Sequence, residues 1–172
     1  MDSSSQNSRQ PAERHIVLVA PDVHWNTGNI GLTCLGAGAR LHLVRPLGFS
    51  LDDKAVKRAG LDYWPRVKPN LWDSFDALVA AMSIRTEELA LFTKNGSCSF
   101  RDIQPAHRLF LVFGSETRGL PDAILAAYPR RTFHIPISCE IRSLNLSTAA
   151  GIALYESLRH GDIGHAWPPT GA

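Results

Sequence analysis

The sequence predicts an α/β domain built on a mainly parallel sheet flanked by helices. Two observations carry this reading. Short apolar, β-branched runs that end at turn residues alternate with segments whose apolar residues recur at helical spacing. Concentrations of Gly, Asn, Ser and Glu then fall directly after three of the apolar runs, where open α/β sheets bind ligands. The 172 residues, 44% hydrophobic and 20% charged, fit one domain whose core needs neither disulfide nor metal. That domain is expected over residues 15–160. A disordered Ser/Gln-rich tail at 1–14 precedes it, and a Gly/Pro-rich tail at 161–172 follows.

The first run, Ile16-Val17-Leu18-Val19-Ala20, stops at Pro21 and reads as a buried strand. A helix is expected from Asn26, where Asn and Thr would cap free amides, to the glycines at 36 and 38. Leu41 to Val44 alternates into a second strand closed by Pro46. Asp52 to Ala59 is a short charged helix, capped by Asp52 and stopped by Gly60. From Leu71 to Met82 the spacing of Leu71, Phe75, Leu78, Val79 and Met82 predicts a core-facing helix. Leu89 to Thr93 and Leu109 to Phe113 are buried strands, with a polar turn around Asn95-Gly96 between them. Pro121 to Ala127 is a helix with proline at its first position. Thr132 to Ile137 is a strand, and Leu146 to Arg159 is the longest helix.

Several chemistries are disfavoured. The cysteines, Cys34, Cys98 and Cys139, lie far apart, and no histidine pair has zinc-site spacing. No metal is expected. The only G-x-G, Gly36-Ala37-Gly38, leads into a strand, and no phosphate-binding G-x-x-x-x-G-K-[ST] exists. Net charge is +2, well short of a strongly basic nucleic-acid binder. Met1 to Arg14 has no apolar core, and no stretch approaches the ~20 residues that span a bilayer. A cytoplasmic protein without membrane attachment is expected.

The three polar segments remain. Asn26-Thr27-Gly28-Asn29-Ile30-Gly31 follows the first strand. Gly114-Ser115-Glu116-Thr117-Arg118-Gly119-Leu120-Pro121 follows another, and its glycines either allow backbone to approach a ligand or form an ordinary turn. After Thr132 to Ile137, Ser143, Asn145 and Ser147 are credible caps for the long helix, whose N-terminus would equally accept an anion.

In this order, the first two segments, and Ile135-Pro136-Ile137-Ser138 with Arg142-Ser143-Leu144-Asn145-Leu146-Ser147, resemble the three motifs of the SPOUT RNA methyltransferases of the TrmH-like branch. Arg40 to Phe49, Asp52-Asp53-Lys54 and Arg58 to Tyr63 are similar to the short TrmL subgroup, which methylates the wobble-nucleotide 2′-hydroxyl in tRNA. The similarity runs from about His15 to Arg159. It implies a C-terminal trefoil knot, a homodimer paired around Tyr155 of the long helix, and the tRNA anticodon region as partner. It also implies S-adenosyl-L-methionine held by Phe92, Thr93, Gly114, Gly119, Ile135, Ile137, Ser143 and Leu144. Asn26, Glu116, Ser143 and Asn145 would surround the methyl donor and the incoming ribose.

One departure stands out. The family's first motif carries an arginine, assigned to activating the hydroxyl, where this chain has Leu32. Arg142 or Arg118 would substitute for it, or the chain is a catalytically weakened RNA-binding homologue; locally, Leu32 reads as a core-facing helical leucine. Methylation of another tRNA or rRNA position is the remaining alternative. Lys54, Lys57, Arg58, Arg66 and Lys68 either contact tRNA phosphates or form a solvated face. Trp25, Tyr63 and Trp64 either stack on unpaired bases or pack.

Overall fold

The computed structural model describes residues 12–51 and 63–159. The charged helix expected at Asp52 to Ala59, its basic residues Lys54, Lys57 and Arg58, and most of both tails lie outside the described residues. Within them, seven parallel strands form one sheet in the order β3-β2-β1-β6-β4-β7-β5. The strands are β1 (Glu13–Val19), β2 (Arg40–Val44), β3 (Asn70–Trp72), β4 (Leu89–Phe92), β5 (Cys98–Ser99), β6 (Arg108–Phe113) and β7 (Thr132–His134). The helices are α1 (His24–Ala37), α2 (Trp64–Val67), α3 (Phe75–Ala81), α4 (Asp122–Ala127) and α5 (Leu146–Ser157).

Strand alternation sorts the core into two layers. Ile16 and Leu18 of β1, with Leu41 and Leu43 of β2 and Leu111 and Phe113 of β6, meet Ile30 and Cys34 of α1 and Leu154 of α5. Val17, Val19, Val44, Phe110 and Val112 face the other way, onto Phe75 and Leu78 of α3. Each fully buried leucine contributes about 1.5–3 kcal/mol relative to exposure.

Several boundaries differ from the sequence reading. Helix α1 begins at His24, and its cap position is Val23, which has no side-chain hydrogen bond. Asn26 and Thr27 are buried inside the helix rather than capping it. Its other end is as expected, with Gly38 in the left-handed conformation (φ 65°) closing the last turn. The helix expected from Leu71 starts only at Phe75, where the Ser74 hydroxyl accepts from the Ala77 N–H. Leu71 and Trp72 instead pair with β2 as β3. The segment after β4 contains the two-residue strand β5, and β7 ends at His134.

Two buried polar arrangements tie the layers together. The Arg14 guanidinium, 3% exposed, donates to the carbonyls of Glu13, Ala106, His107 and Ser157 and to the Ser157 hydroxyl. Its acceptors include a carbonyl at the C-terminal end of α5, where the helix dipole favours a cation. In the opposite layer His15 stacks on Phe110, centroids 4.1 Å apart, and its Nδ1 lies 2.8 Å from His42 Nε2. Trp72 Nε1 donates to His42 Nδ1 at 3.0 Å. Because indole N–H is only a donor, His42 carries its proton on Nε2 and donates to His15 Nδ1. His15 therefore carries its proton on Nε2, 3.1 Å from a Glu13 carboxylate oxygen but without hydrogen-bond geometry.

Burial, with Arg40 and Arg108 nearby, holds His15 down at about 4. Burial and the adjacent His15 hold His42 at about 3. Both rings are neutral in the fold at neutral pH. The unfolded chain binds more protons than the native state once pH falls below about 6.5, so stability is complete above that pH and declines as pH falls toward the folded values. Glu88, which accepts from Arg108 and sits at about 2, adds its own loss only below the ordinary carboxylate range. The urea midpoint is therefore expected to fall between pH 7 and pH 5. Replacing both histidines by leucine flattens that interval, and a flat wild-type profile contradicts the neutral pair.

Candidate active site

The carboxyl ends of β4 and β6, the start of α1 and the segment entering α5 enclose a cleft of about 680 Å³. Phe92 and Phe113 stack at its base, centroids 4.7 Å apart and planes within 12°. The β4–β5 connector forms one wall. It is pinned to β7 by Thr93 N–H donating to Phe133 O (3.0 Å), Ser97 N–H donating to Thr132 Oγ1 (3.1 Å), and His134 Nδ1 donating to Gly96 O (2.8 Å). A side chain at Gly96 would meet the Phe133 carbonyl carbon at 2.2 Å, so only glycine permits this crossing.

The β6–α4 turn forms a second wall. Ser115 and Gly119 exchange backbone hydrogen bonds of 3.2 and 2.9 Å, and the Ser115 hydroxyl accepts from Arg118 N–H. A Cβ on Gly114 would lie 1.9 Å from the Gly119 carbonyl carbon. The close approach foreseen at Gly114 is thus to the turn's own backbone. Gly119 has φ 73° and open space around it.

Across these walls runs a directional hydrogen-bond chain. Asn145 Nδ2 donates to Asn26 Oδ1 (3.0 Å), and Asn26 Nδ2 donates to Glu116 Oε1 (2.9 Å). Glu116 Oε2 accepts from the Asp22 N–H at 2.8 Å. Asn145 is also the cap of α5, its Oδ1 accepting from Ser147 and Thr148 N–H. Residues separated by 90 and 119 positions are thereby fixed against one another. With both carboxylate oxygens engaged, Glu116 anchors the two amides, and the buried Asn26 bridges them (5% exposed).

Of the residues nominated from sequence, Asn26, Phe92, Thr93, Gly114, Glu116, Gly119, Arg142, Ser143, Leu144 and Asn145 line the one cleft. Ile135 and Ile137 do not. Ile135 packs against the core, and Ile137 is an exposed side chain. Leu32 also falls outside the lining, and at 50% exposure it is no core leucine. Trp64 is buried beside Gly31, whereas Trp25 is 61% exposed and lines the cleft. Arg66 and Lys68 are exposed and away from it.

Asp22 is a residue the sequence reading missed. Besides orienting Glu116 through its backbone, it accepts from the Thr117 hydroxyl at 2.6 Å, which holds its carboxyl below the usual carboxylate range. The sequence offered one hint, an aspartate directly after the proline that ends β1. Among the described residues, no group of three His, Cys, Asp or Glu side chains could hold a metal ion, and no helix is long and apolar enough to cross a membrane.

Residues 13–155 match the family model described as the SpoU rRNA Methylase family. The chain is 44% identical over 152 residues to a tRNA (cytidine(34)-2′-O)-methyltransferase of Methylovorus glucosotrophus, covering 88% of this chain and 97% of that one. A solved structure described as giving insights into the 2-OH methylation of C/U34 on tRNA superposes with a TM-score of 0.78 at 41% identity, covering 87% of this chain and 97% of the other. An AdoMet-bound rRNA methyltransferase from Sinorhizobium meliloti superposes with a TM-score of 0.75 at 26% identity, covering 88% of this chain and 57% of the other.

The two turn glycines are expected to fail differently. Gly119→Ala leaves contacts intact and costs about 1–2 kcal/mol, the penalty of a left-handed L-residue. Gly114→Ala forces two backbone segments apart and costs more. Urea unfolding of both proteins checks the order, and equal losses contradict the clash at Gly114.

Proposed function

The chain belongs to the SpoU rRNA Methylase family, and from that premise we propose that it transfers a methyl group from S-adenosyl-L-methionine to the ribose 2′-hydroxyl of the wobble nucleotide of tRNA, cytidine or modified uridine. The observation that carries this reading is the chain from Asn145 through Asn26 to Glu116, which joins three distant segments on the rim of one cleft. Near full-length similarity to the Methylovorus enzyme supports the choice of nucleotide.

The cleft suits the cofactor. Stacked aromatic rings offer an apolar base for adenine, and the crossing connector and two-glycine turn offer backbone hydrogen-bonding groups in place of charged side chains. Phe92, Thr93, Gly114, Gly119, Ser143 and Leu144 would hold it. Bound there, S-adenosylmethionine supplies an electrophilic sulfonium methyl. The protein's part is positioning and electrostatics. Glu116 fixes Asn26, and Asn26 fixes Asn145, so the amide groups face the ribose without reorganising when charge develops. Ser143 offers a further hydroxyl at the same rim. With Leu32 outside the cleft, Arg142 is the cation assigned to the ribose oxygen. A guanidinium stays protonated, so it stabilises the developing alkoxide and eases departure of the proton to water.

Three properties accompany this reading. The trefoil knot is supported by the placement of β7 between β4 and β5, beneath a connector that only Gly96 allows so close. Homodimerisation is supported by Leu32 of α1 and Ile152 and Tyr155 of α5, large apolar side chains left exposed on two helices that pack together. A cytoplasmic location fits a tRNA substrate.

Mass spectrometry of total tRNA after incubation with protein and S-adenosylmethionine is expected to show new 2′-O-methylation at the wobble nucleotide. Arg142→Ala should slow single-turnover transfer roughly 10²-fold, as for loss of one oxyanion donor, with S-adenosylhomocysteine affinity unchanged. Cofactor binding without wobble methylation by the wild type would instead favour a non-catalytic RNA-binding homologue. For the dimer, Ile152→Glu places a charge in the proposed apolar interface. Light scattering should shift from dimer to monomer at micromolar concentration, and an unchanged mass moves the interface elsewhere.

A further inference from the structure

Trp25 is the most exposed of the large apolar side chains among the described residues, at 61%. A lone exposed indole is uncommon, because tryptophan gains more from burial than most other residues. It occupies the first turn of α1 beside Asn26, the central residue of the hydrogen-bond chain, and it lines the same cleft. Its ring meets His24 edge-on, centroids 4.7 Å apart, and His24 in turn lies 6.4 Å from the Phe49 ring. That row steadies one edge of the indole while most of its surface stays open. Lys94, Arg118 and Arg142 line the same cleft, and Arg118 is 72% exposed with only a 4.0 Å approach to Asp22. An open aromatic face in a cleft that also carries cations is the chemistry that recognises single-stranded nucleic acid, the face taking a base and the cations the phosphates. The other aromatic candidates differ. Trp64 is buried under α1 and lies outside the cleft lining.

We propose that the Trp25 indole is the stacking platform for the base of the nucleotide whose ribose is methylated. The inference rests on the methyl-transfer reading above and adds to it the residue that captures the base. The cleft then takes the nucleotide in two parts, with the ribose at Asn26 and Asn145 and the base against Trp25. Stacking is tolerant of base identity, because every base has a π-face. Trp25 thus accounts for holding the nucleotide rather than for choosing between cytidine and uridine.

The test uses the full chain and two RNA probes, a tRNA anticodon stem-loop and the same stem-loop with an abasic wobble nucleotide, each read by fluorescence anisotropy. Wild type should bind the intact probe about tenfold more tightly than the abasic one. Trp25→Ala should lose that margin and bind both alike, and Trp25→Phe should keep most of it. S-adenosylhomocysteine affinity and the mass in light scattering should stay at wild-type values. Three results overturn the proposal: Trp25→Ala binding intact RNA like the wild type, an equal loss on both probes, or conversion to a monomer, which would show that a second copy covers the indole. Because the readout is binding, a wild type that discriminates the probes but transfers no methyl group refutes the reaction and retains the platform.

Discussion

Placing β7 between β4 and β5 is the constraint on which the rest of this protein depends. The connector that leaves β4 must then pass the end of β7 to reach β5. The approach is close enough that Gly96 packs backbone against backbone on Phe133 and His134. Thr93, Ser143 and Leu144 line one cleft although β5, β6, α4 and β7 separate them in sequence.

The site is fixed by polar groups that satisfy one another. Asp22, Glu116, Asn26 and Asn145 use backbone N–H, carboxylate, amide and helix cap in a single series. Unpaired, the buried Asn26 amide would cost about 1–3 kcal/mol; joined, the four residues hold three elements in register. The same economy appears away from the cleft, where tautomer logic fixes the direction of the Trp72–His42–His15 series. There the cost is sensitivity to acid, since burial of both imidazoles outweighs the nearby Glu13 and Glu88 carboxylates.

The alternation of Ile16 and Leu18 with Val17 and Val19 showed in sequence that β1 is buried on both faces, and the structure divides those residues between two cores. Glycine and asparagine clusters after the strands likewise marked the cleft. Strands of two or three residues left no such mark. Cys98–Ser99 is too short for any period, and Leu71 of β3 happened to fall at helical spacing with Phe75 and Leu78. Asn26 reads locally as a cap because its real partner, Glu116, is 90 residues away. Asp22 was invisible for the same reason, acting on a distant turn through its backbone. Ile135 and Ile137 followed the family pattern; the Ile135 side chain packs against the core and that of Ile137 is exposed.

Arg14 carries a consequence for how the chain is made. Its guanidinium is buried beside β1, and three of its hydrogen bonds end on Ser157, 143 residues later. During synthesis β1 emerges with a cation whose acceptors on Ser157 have not been translated. The same delay applies to Asn26, which waits for Asn145. The surroundings of the first strand and of the cleft are completed only when α5 docks, and such long-range pairing is slow because of its loop-closure cost.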